Sequence, residues 1–151
     1  MNNKDYPTIL ALDLGNHFGY ALMKDGEVQS GHVKHKEKNE LQFFTWLNNF
    51  VIHGHPACIV YEFAAWQQGK AREIWGGMLG ITKLVSQRYE IELLPVPVKT
   101  IKLHITGRGG ASKEDMIYHV NERGYDVDDD NEADAIGILL TALEMGMVEK
   151  G

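Results

Sequence analysis

Thr8-Ile9-Leu10-Ala11-Leu12-Asp13 is a short, nearly continuous apolar run that ends in a single carboxylate. A run of that length and character reads as a buried central strand. The same arrangement returns at Cys58-Ile59-Val60-Tyr61-Glu62, and a third acid, Asp134, interrupts the apolar stretch of residues 132–143. Charges in such surroundings are costly to desolvate and ordinarily have a partner. Three that meet repel one another unless a cation holds them. The pattern therefore points to a metal-dependent enzyme.

Outward from the first strand, residues 19–23 and 27–33 predict two more strands, joined through Lys24-Asp25-Gly26, whose Asp-Gly pair signals a tight hairpin. Leu41, Phe44, Leu47 and Val51 are at helical spacing and predict a helix over 39–53, closed by Gly54 and Pro56. Residues 57–63 form the fourth strand, reached by a helical crossover and so parallel to the first. A long helix over 68–89 carries Gly76, Gly77 and Gly80, which permit close packing against another helix or a second subunit. A fifth strand spans 91–98, with Pro95 and Pro97 near its end, where missing amide donors matter least. The glycine-rich stretch 106–112 predicts a loop. Ser112 then caps a helix through Glu122, with Asp115 closing a weakened capping box. An acidic loop at 125–130 precedes a last helix over 131–147. The order βββ-α-β-α-β-α-α gives an α/β fold: a mixed five-stranded sheet, with an antiparallel unit of three strands and two parallel additions, flanked by helices.

A chain of 151 residues with 44% hydrophobic content builds one globular domain with a core of its own, expected to span 1–151. The net charge of -6 argues against non-specific coating of nucleic acid, although local patches decide such contacts. The lone Cys58 cannot form an internal disulfide. With no basic-then-apolar leader and no apolar stretch of about 18 residues, no membrane span and a reducing, cytoplasmic setting are expected.

In α/β sheets, functional residues gather at the carboxyl ends of the strands. Parallel neighbours would place Asp13 and Glu62 side by side there, with Gly15 turning the chain and leaving room for a ligand. On the last helix Asn131 and Asp134, three apart, face one point, as do Asp130 and Asp134. An oxygen-rich site without cysteine or clustered histidine suits Mg²⁺ or Mn²⁺. Two such ions about 4 Å apart activate water and stabilise a leaving oxygen in phosphodiester cleavage. Singly, each acid reads equally well as a turn former or a helix-dipole partner. It is their joint placement that favours a site.

Lys99, Lys102, His104, Arg108 and Lys113 form a run with no acid, a local positive surface able to neutralise phosphates. Phe63 and Trp66, just after Glu62, are candidates for stacking on unpaired bases, although core packing is the commoner fate of an aromatic. None of the seven histidines forms a recognisable metal pair in the sequence, and His32 and His35 are expected at the surface. The stripe Met78, Ile81, Leu84 and Val85 reads as core or a dimer face.

In order, these features resemble the RuvC-type Holliday junction resolvases of the RNase H-like nuclease superfamily, over roughly residues 9–143. The carriers are Leu12-Asp13-Leu14-Gly15 with Gly19, Val60-Tyr61-Glu62, Pro97-Val98-Lys99, the basic loop ending in Ser112-Lys113, and Asn131-Glu132-Ala133-Asp134-Ala135. The compact length is similar to phage or prophage members. The resemblance implies a homodimer that binds a four-way DNA junction and nicks two opposed strands with two Mg²⁺ ions per subunit, in recombination and repair. It implies Asp13, Glu62 and Asp134 as metal ligands, with Asn131 at the fourth ligand position, Lys113 beside the scissile phosphate and Lys99 in the same phosphate region; Lys102, Arg108, Phe63 and Trp66 are the further candidates for DNA contacts from the basic and aromatic stretches.

Two positions depart from the family. It usually has Asp or His where this chain has Asn131, which offers only a neutral oxygen, so that one metal binds more weakly or Asp130 or Glu132 substitutes. Its housekeeping member carries a base-wedging Phe where this chain has Ala65, followed by Trp66.

Asp13-Leu14-Gly15 with Gly19 also resembles the first phosphate loop of the actin and sugar-kinase ATPases. Those need two lobes and an adenosine motif that this chain lacks, so no nucleotide cofactor is expected. Nearer rivals are an RNase H-like enzyme acting on RNA–DNA hybrids or flaps, and a degenerate resolvase that binds branched DNA without cutting.

Overall fold

The structure, a computed structural model, describes residues 3–35, 39–64 and 67–151. Five strands, β1 (Ile9–Asp13), β2 (His17–Lys24), β3 (Glu27–Lys34), β4 (Cys58–Phe63) and β5 (Glu92–Pro97), form one sheet in the order β3-β2-β1-β4-β5. β2 runs antiparallel to β1 and β3, whereas β4 and β5 run parallel to β1. The Asp-Gly hairpin forms as expected, with Asp25 and Gly26 both at positive φ (54° and 81°) and Lys24 paired with Glu27. The helices are α1 (Asn39–Gly54), α2 (Gly69–Arg88), α3 (Val98–Thr106), α4 (Lys113–Glu122) and α5 (Asp130–Glu144). Among the described residues, no helix is long and apolar enough to cross a membrane.

Alternation along the strands sorts the core into two layers. Leu10 and Leu12 of β1, with Phe18, Leu22, Ile59 and Tyr61, pack against Phe43 and Leu47 of α1 and Met78 and Val85 of α2. Ile9 and Ala11, with Ala21, Met23, Cys58 and Val60, face Ile101 and Ile105 of α3, Met116 and Val120 of α4, and α5. By the same parity, Asp13 and Glu62 project toward the α5 layer.

α5 is buried almost all round, with Ala133 and every residue from Ala135 to Leu143 inside. That suits a helix wedged between a sheet and two other helices. Each fully buried Ile or Leu there contributes about 1.5–3 kcal/mol. Gly19 sets how closely α5 approaches: a Cβ on it would lie 1.8 Å from the Asn131 carbonyl oxygen. Gly15, by contrast, is not at positive φ, and a Cβ there would meet only the His17 carbonyl oxygen, at 3.5 Å. The turn after Asp13 therefore does not demand a glycine.

Three expectations need correction. The fifth strand ends at Pro97, and α3, a helix that the sequence leaves as strand end and loop, follows at once. Pro97, at φ −62° and ψ 140°, is its N-cap, and Gly107, in the left-handed region at φ 80°, closes it. The element order is therefore βββ-α-β-α-β-α-α-α. α5 ends at Glu144 rather than Met147, because Gly146 turns the chain at φ 71°. His35 is buried rather than at the surface, with its ring 5.3 Å from that of Phe18. The prolines of β5 do lie on an edge strand.

Candidate functional site

β1 and β4 are adjacent and parallel, with Leu12 opposite Tyr61, so their last inward-facing residues come out side by side at the carboxyl end of the sheet. Asp13 and Glu62 occupy those places. Asp134 arrives from the second turn of α5, which the close approach at Gly19 brings down onto β2. One carboxylate oxygen from each of Asp13, Glu62 and Asp134 lies within 4.8 Å of the others.

The electrostatics are those of an uncompensated cluster. Burial, then the charges of Asp134 and Glu62, push the Asp13 carboxyl well above its ordinary range. Burial and the neighbouring Glu62 and Asp130 lift Asp134 to about 7, against opposition from Lys102 and Lys113. Glu62 is raised by burial, with Lys102 pulling it back. None of the ion pairs among the described residues involves these three acids. Half-buried, mutually repelling and oxygen-only, the trio fits a hard divalent cation better than any internal partner.

Asn131 lies against this cluster but faces it with nitrogen. With the amide oriented by its neighbours, its NH₂ donates to Asp13 Oδ2 at 3.1 Å and to the His17 carbonyl oxygen at 3.2 Å. In this arrangement Asn131 tethers Asp13 and offers it a donor, rather than presenting an oxygen to the centre.

A cleft of about 140 Å³ opens beside the acids, and Glu62, Asp134, Lys102, Ser112 and Lys113 supply its polar lining. α3 supplies Lys102, one position beyond buried Ile101. Lys113 begins α4, where Ser112 and Asp115 form a complete capping box. Its Nζ lies 3.4 Å from Asp130 Oδ2.

The remaining basic and aromatic candidates lie outside this cleft. Lys99 is exposed in the first turn of α3. Arg108 is held 2.8 Å from Asp115 Oδ2, in the loop between α3 and α4. Phe63 projects to the opposite side of the sheet, its ring edge-on to Trp75 of α2 at 6.0 Å. Trp66 and Ala65 lie outside the described residues. A larger cavity of about 450 Å³, between Trp46, Phe50 and Lys24, is on the α1 side of the sheet, and among the described residues no acid lines it.

The residue whose place is least apparent from sequence is Lys102, because α3 was hidden. Its signal is the pair Ile101 and Ile105, four apart and both buried. Glu132, an alternative to Asn131 by sequence, is engaged elsewhere, accepting from Ser30 Oγ at 2.6 Å.

No family model matches the sequence, and no curated protein does. Among solved structures, the chain is similar to RuvC of Thermus thermophilus, with a TM-score of 0.73 and 18% identity, covering 95% of this chain and 99% of that one. It is also similar to T. thermophilus RuvC in complex with a Holliday junction substrate, with a TM-score of 0.78 and 18% identity, covering 97% and 100% of the two chains. Over nearly its whole length, then, the chain has the RNase H-like fold of RuvC.

Proposed function

We propose that this chain is a structure-selective endodeoxyribonuclease that resolves four-way DNA junctions by paired nicks, acting as a homodimer. The observation that carries the proposal is the meeting of Asp13, Glu62 and Asp134 within 4.8 Å beside a cleft walled by Lys102 and Lys113. The likeness to a RuvC solved with a Holliday junction substrate adds the substrate class.

Asp13, Glu62 and Asp134 would hold Mg²⁺, or Mn²⁺ in its place, as two ions per subunit. When bound, such ions lower the pKa of water and stabilise a leaving oxygen. The chain's own groups do the rest. Lys102 and Lys113, which line the same cleft, draw a backbone phosphate toward the acids and offset the charge that develops on it. Asn131 keeps Asp13 in one orientation through its NH₂ group. Lys99 and Arg108, outside the cleft, suit contacts to neighbouring phosphates, and Phe63, half exposed beyond Glu62, suits a base. The homodimer is supported by the outward face of α2, where Gly76, Gly80 and Leu84 recur at intervals of four and Leu84 is 60% exposed.

A second reading, a resolvase-like protein that binds branched DNA without cutting, is favoured by the nitrogen that Asn131 turns toward Asp13. Incubation with Mg²⁺ and labelled four-way junction, flap, RNA–DNA hybrid and duplex separates the possibilities. Symmetric paired nicks on the junction support resolution, and cutting of hybrids alone assigns the chain to the RNase class. Junction binding without cutting, rescued by Asn131→Asp, indicates the non-cleaving protein.

A further inference from the structure

Next to the acidic centre, but chemically unlike it, three side chains from three elements converge. His17 begins β2, His32 lies near the end of β3, and Asp129 is the N-cap of α5. Pairing of Gly19 with His32 and of His17 with Lys34 puts the two histidines on one face of the hairpin, as diagonal neighbours. That face is the one turned toward α5. His17 Nε2 lies 2.8 Å from His32 Nδ1, and Asp129 Oδ2 lies 3.4 Å from the first and 3.7 Å from the second. The other oxygen of Asp129, Oδ1, accepts from the Glu132 backbone N–H at 2.9 Å, which fixes the carboxylate while leaving Oδ2 for the imidazoles.

We propose that His17, His32 and Asp129 form a second cation site, for a borderline divalent transition ion of the Zn²⁺ class, which pins the β2–β3 hairpin to the N-terminus of α5. Three observations carry it. The first is distance: the three separations define a point about 1.9 Å from all three atoms, close to the about 2.0–2.2 Å of zinc–nitrogen and zinc–oxygen bonds. The second is chemistry. Two imidazole nitrogens whose ring atoms face each other at 2.8 Å need a shared proton or a cation between them, and two imidazoles with one carboxylate select zinc, cobalt or nickel over Mg²⁺. The acidic centre, all oxygen, has the opposite preference. The third is access: the side chains of His17 and His32 are 32% and 43% exposed, so an ion can enter and water can complete its coordination.

The site would act on position rather than on chemistry. Asn131, two residues after Asp129, donates both to Asp13 and to the His17 carbonyl oxygen. An ion held by His17 and Asp129 therefore fixes both the strand and the helix end between which Asn131 is strung. The inference does not depend on the nuclease proposal, because it concerns a separate set of ligands.

The test uses the full chain, stripped of metal with chelator and titrated with Co²⁺ and Zn²⁺. The expected result is one Co²⁺ per chain with the intense visible absorption of a low-coordinate, nitrogen-containing site, displaced by Zn²⁺. Those bands should persist in the double variant Asp13→Asn/Asp134→Asn. They should vanish in His32→Ala, a change on the exposed edge strand, and in His17→Asn, with Zn²⁺ affinity reduced more than about 100-fold in each. Circular dichroism shows whether each variant is folded, and the two histidine variants back each other up. Absence of the bands in the parent protein overturns the proposal and leaves a proton shared between His17 and His32. So does a Zn²⁺ affinity unchanged in both histidine variants, or bands lost only in the acidic double variant.

Discussion

Replacing Asp134, which takes part in no ion pair among the described residues, with Asn should make the metal-free protein more stable at pH 8, although it deletes a proposed metal ligand. Asp134 is lifted from 3.8 to about 7, chiefly by burial and then by Glu62 and Asp130. A carboxyl that holds its proton more tightly folded than unfolded favours the native state most below pH about 4. That advantage is lost as the pH rises through about 7. The size of the lift corresponds to about 4 kcal/mol between those limits. Asn mimics the protonated acid at every pH. Asp134→Asn should therefore match the parent at pH 4 and exceed it by roughly 2–4 kcal/mol at pH 8, which is about 10 °C in Tm for a chain of this size. Relief of Asp13, whose carboxyl is raised in part by Asp134, acts in the same direction. The assay is thermal and urea unfolding in chelator across pH 4–8, repeated with excess Mg²⁺. At about 100 times its Kd, Mg²⁺ should add about 2.7 kcal/mol to the parent and far less to the variant. Equal pH slopes for the two proteins in chelator, or a variant weaker than the parent at pH 8, would refute the view that these acids repel one another unpaired.

Asp13→Asn should reduce Mg²⁺-dependent junction cleavage by more than about 100-fold while leaving junction binding close to that of the parent, measured by gel cleavage and by gel shift in Ca²⁺. Asn131→Asp replaces a donor facing Asp13 with another charge, so it should cost about 2 kcal/mol in chelator at pH 8. The same change should raise divalent-ion affinity and cleavage. Gly19→Ala sets a Cβ 1.8 Å from the Asn131 carbonyl oxygen and 2.3 Å from its carbon. Backbone at that distance cannot yield locally, so unfolding measurements should show a loss of at least about 3 kcal/mol. Gly15→Ala, with only a 3.5 Å contact to accommodate, should be close to neutral in the same experiment.

The acids are legible because a charge at the end of an apolar run is conspicuous, and because strand parity then sends Asp13 and Glu62 to one face. The hairpin is legible because Asp25-Gly26 supplies two positive φ angles in succession. α3 is not, since two prolines and the β-branched Val98 and Thr100 mimic a strand end, and no acid marks its first turn. Only the spacing of Ile101 and Ile105 betrays it. The His17–His32 pair could be deduced in principle. A two-residue turn at Asp25-Gly26 dictates that Gly19 faces His32, and the register does the rest. Comparing His32 with His35 along one strand conceals it. The orientation of the Asn131 amide depends on two acceptors brought together by tertiary approach, which no local pattern encodes.

The two signs of charge in the cleft have different foundations. Its acids hang from the central strands and from a helix buried almost all round, whereas Lys102 and Lys113 ride on a short helix and on the start of the next, joined by the exposed glycines 107, 109 and 110. Exchanging Lys102 and Lys113 should consequently retune the charge of this wall without moving the acids, provided that Ile101, Ile105 and Ala111, which anchor residues 98–113 in the core, are kept.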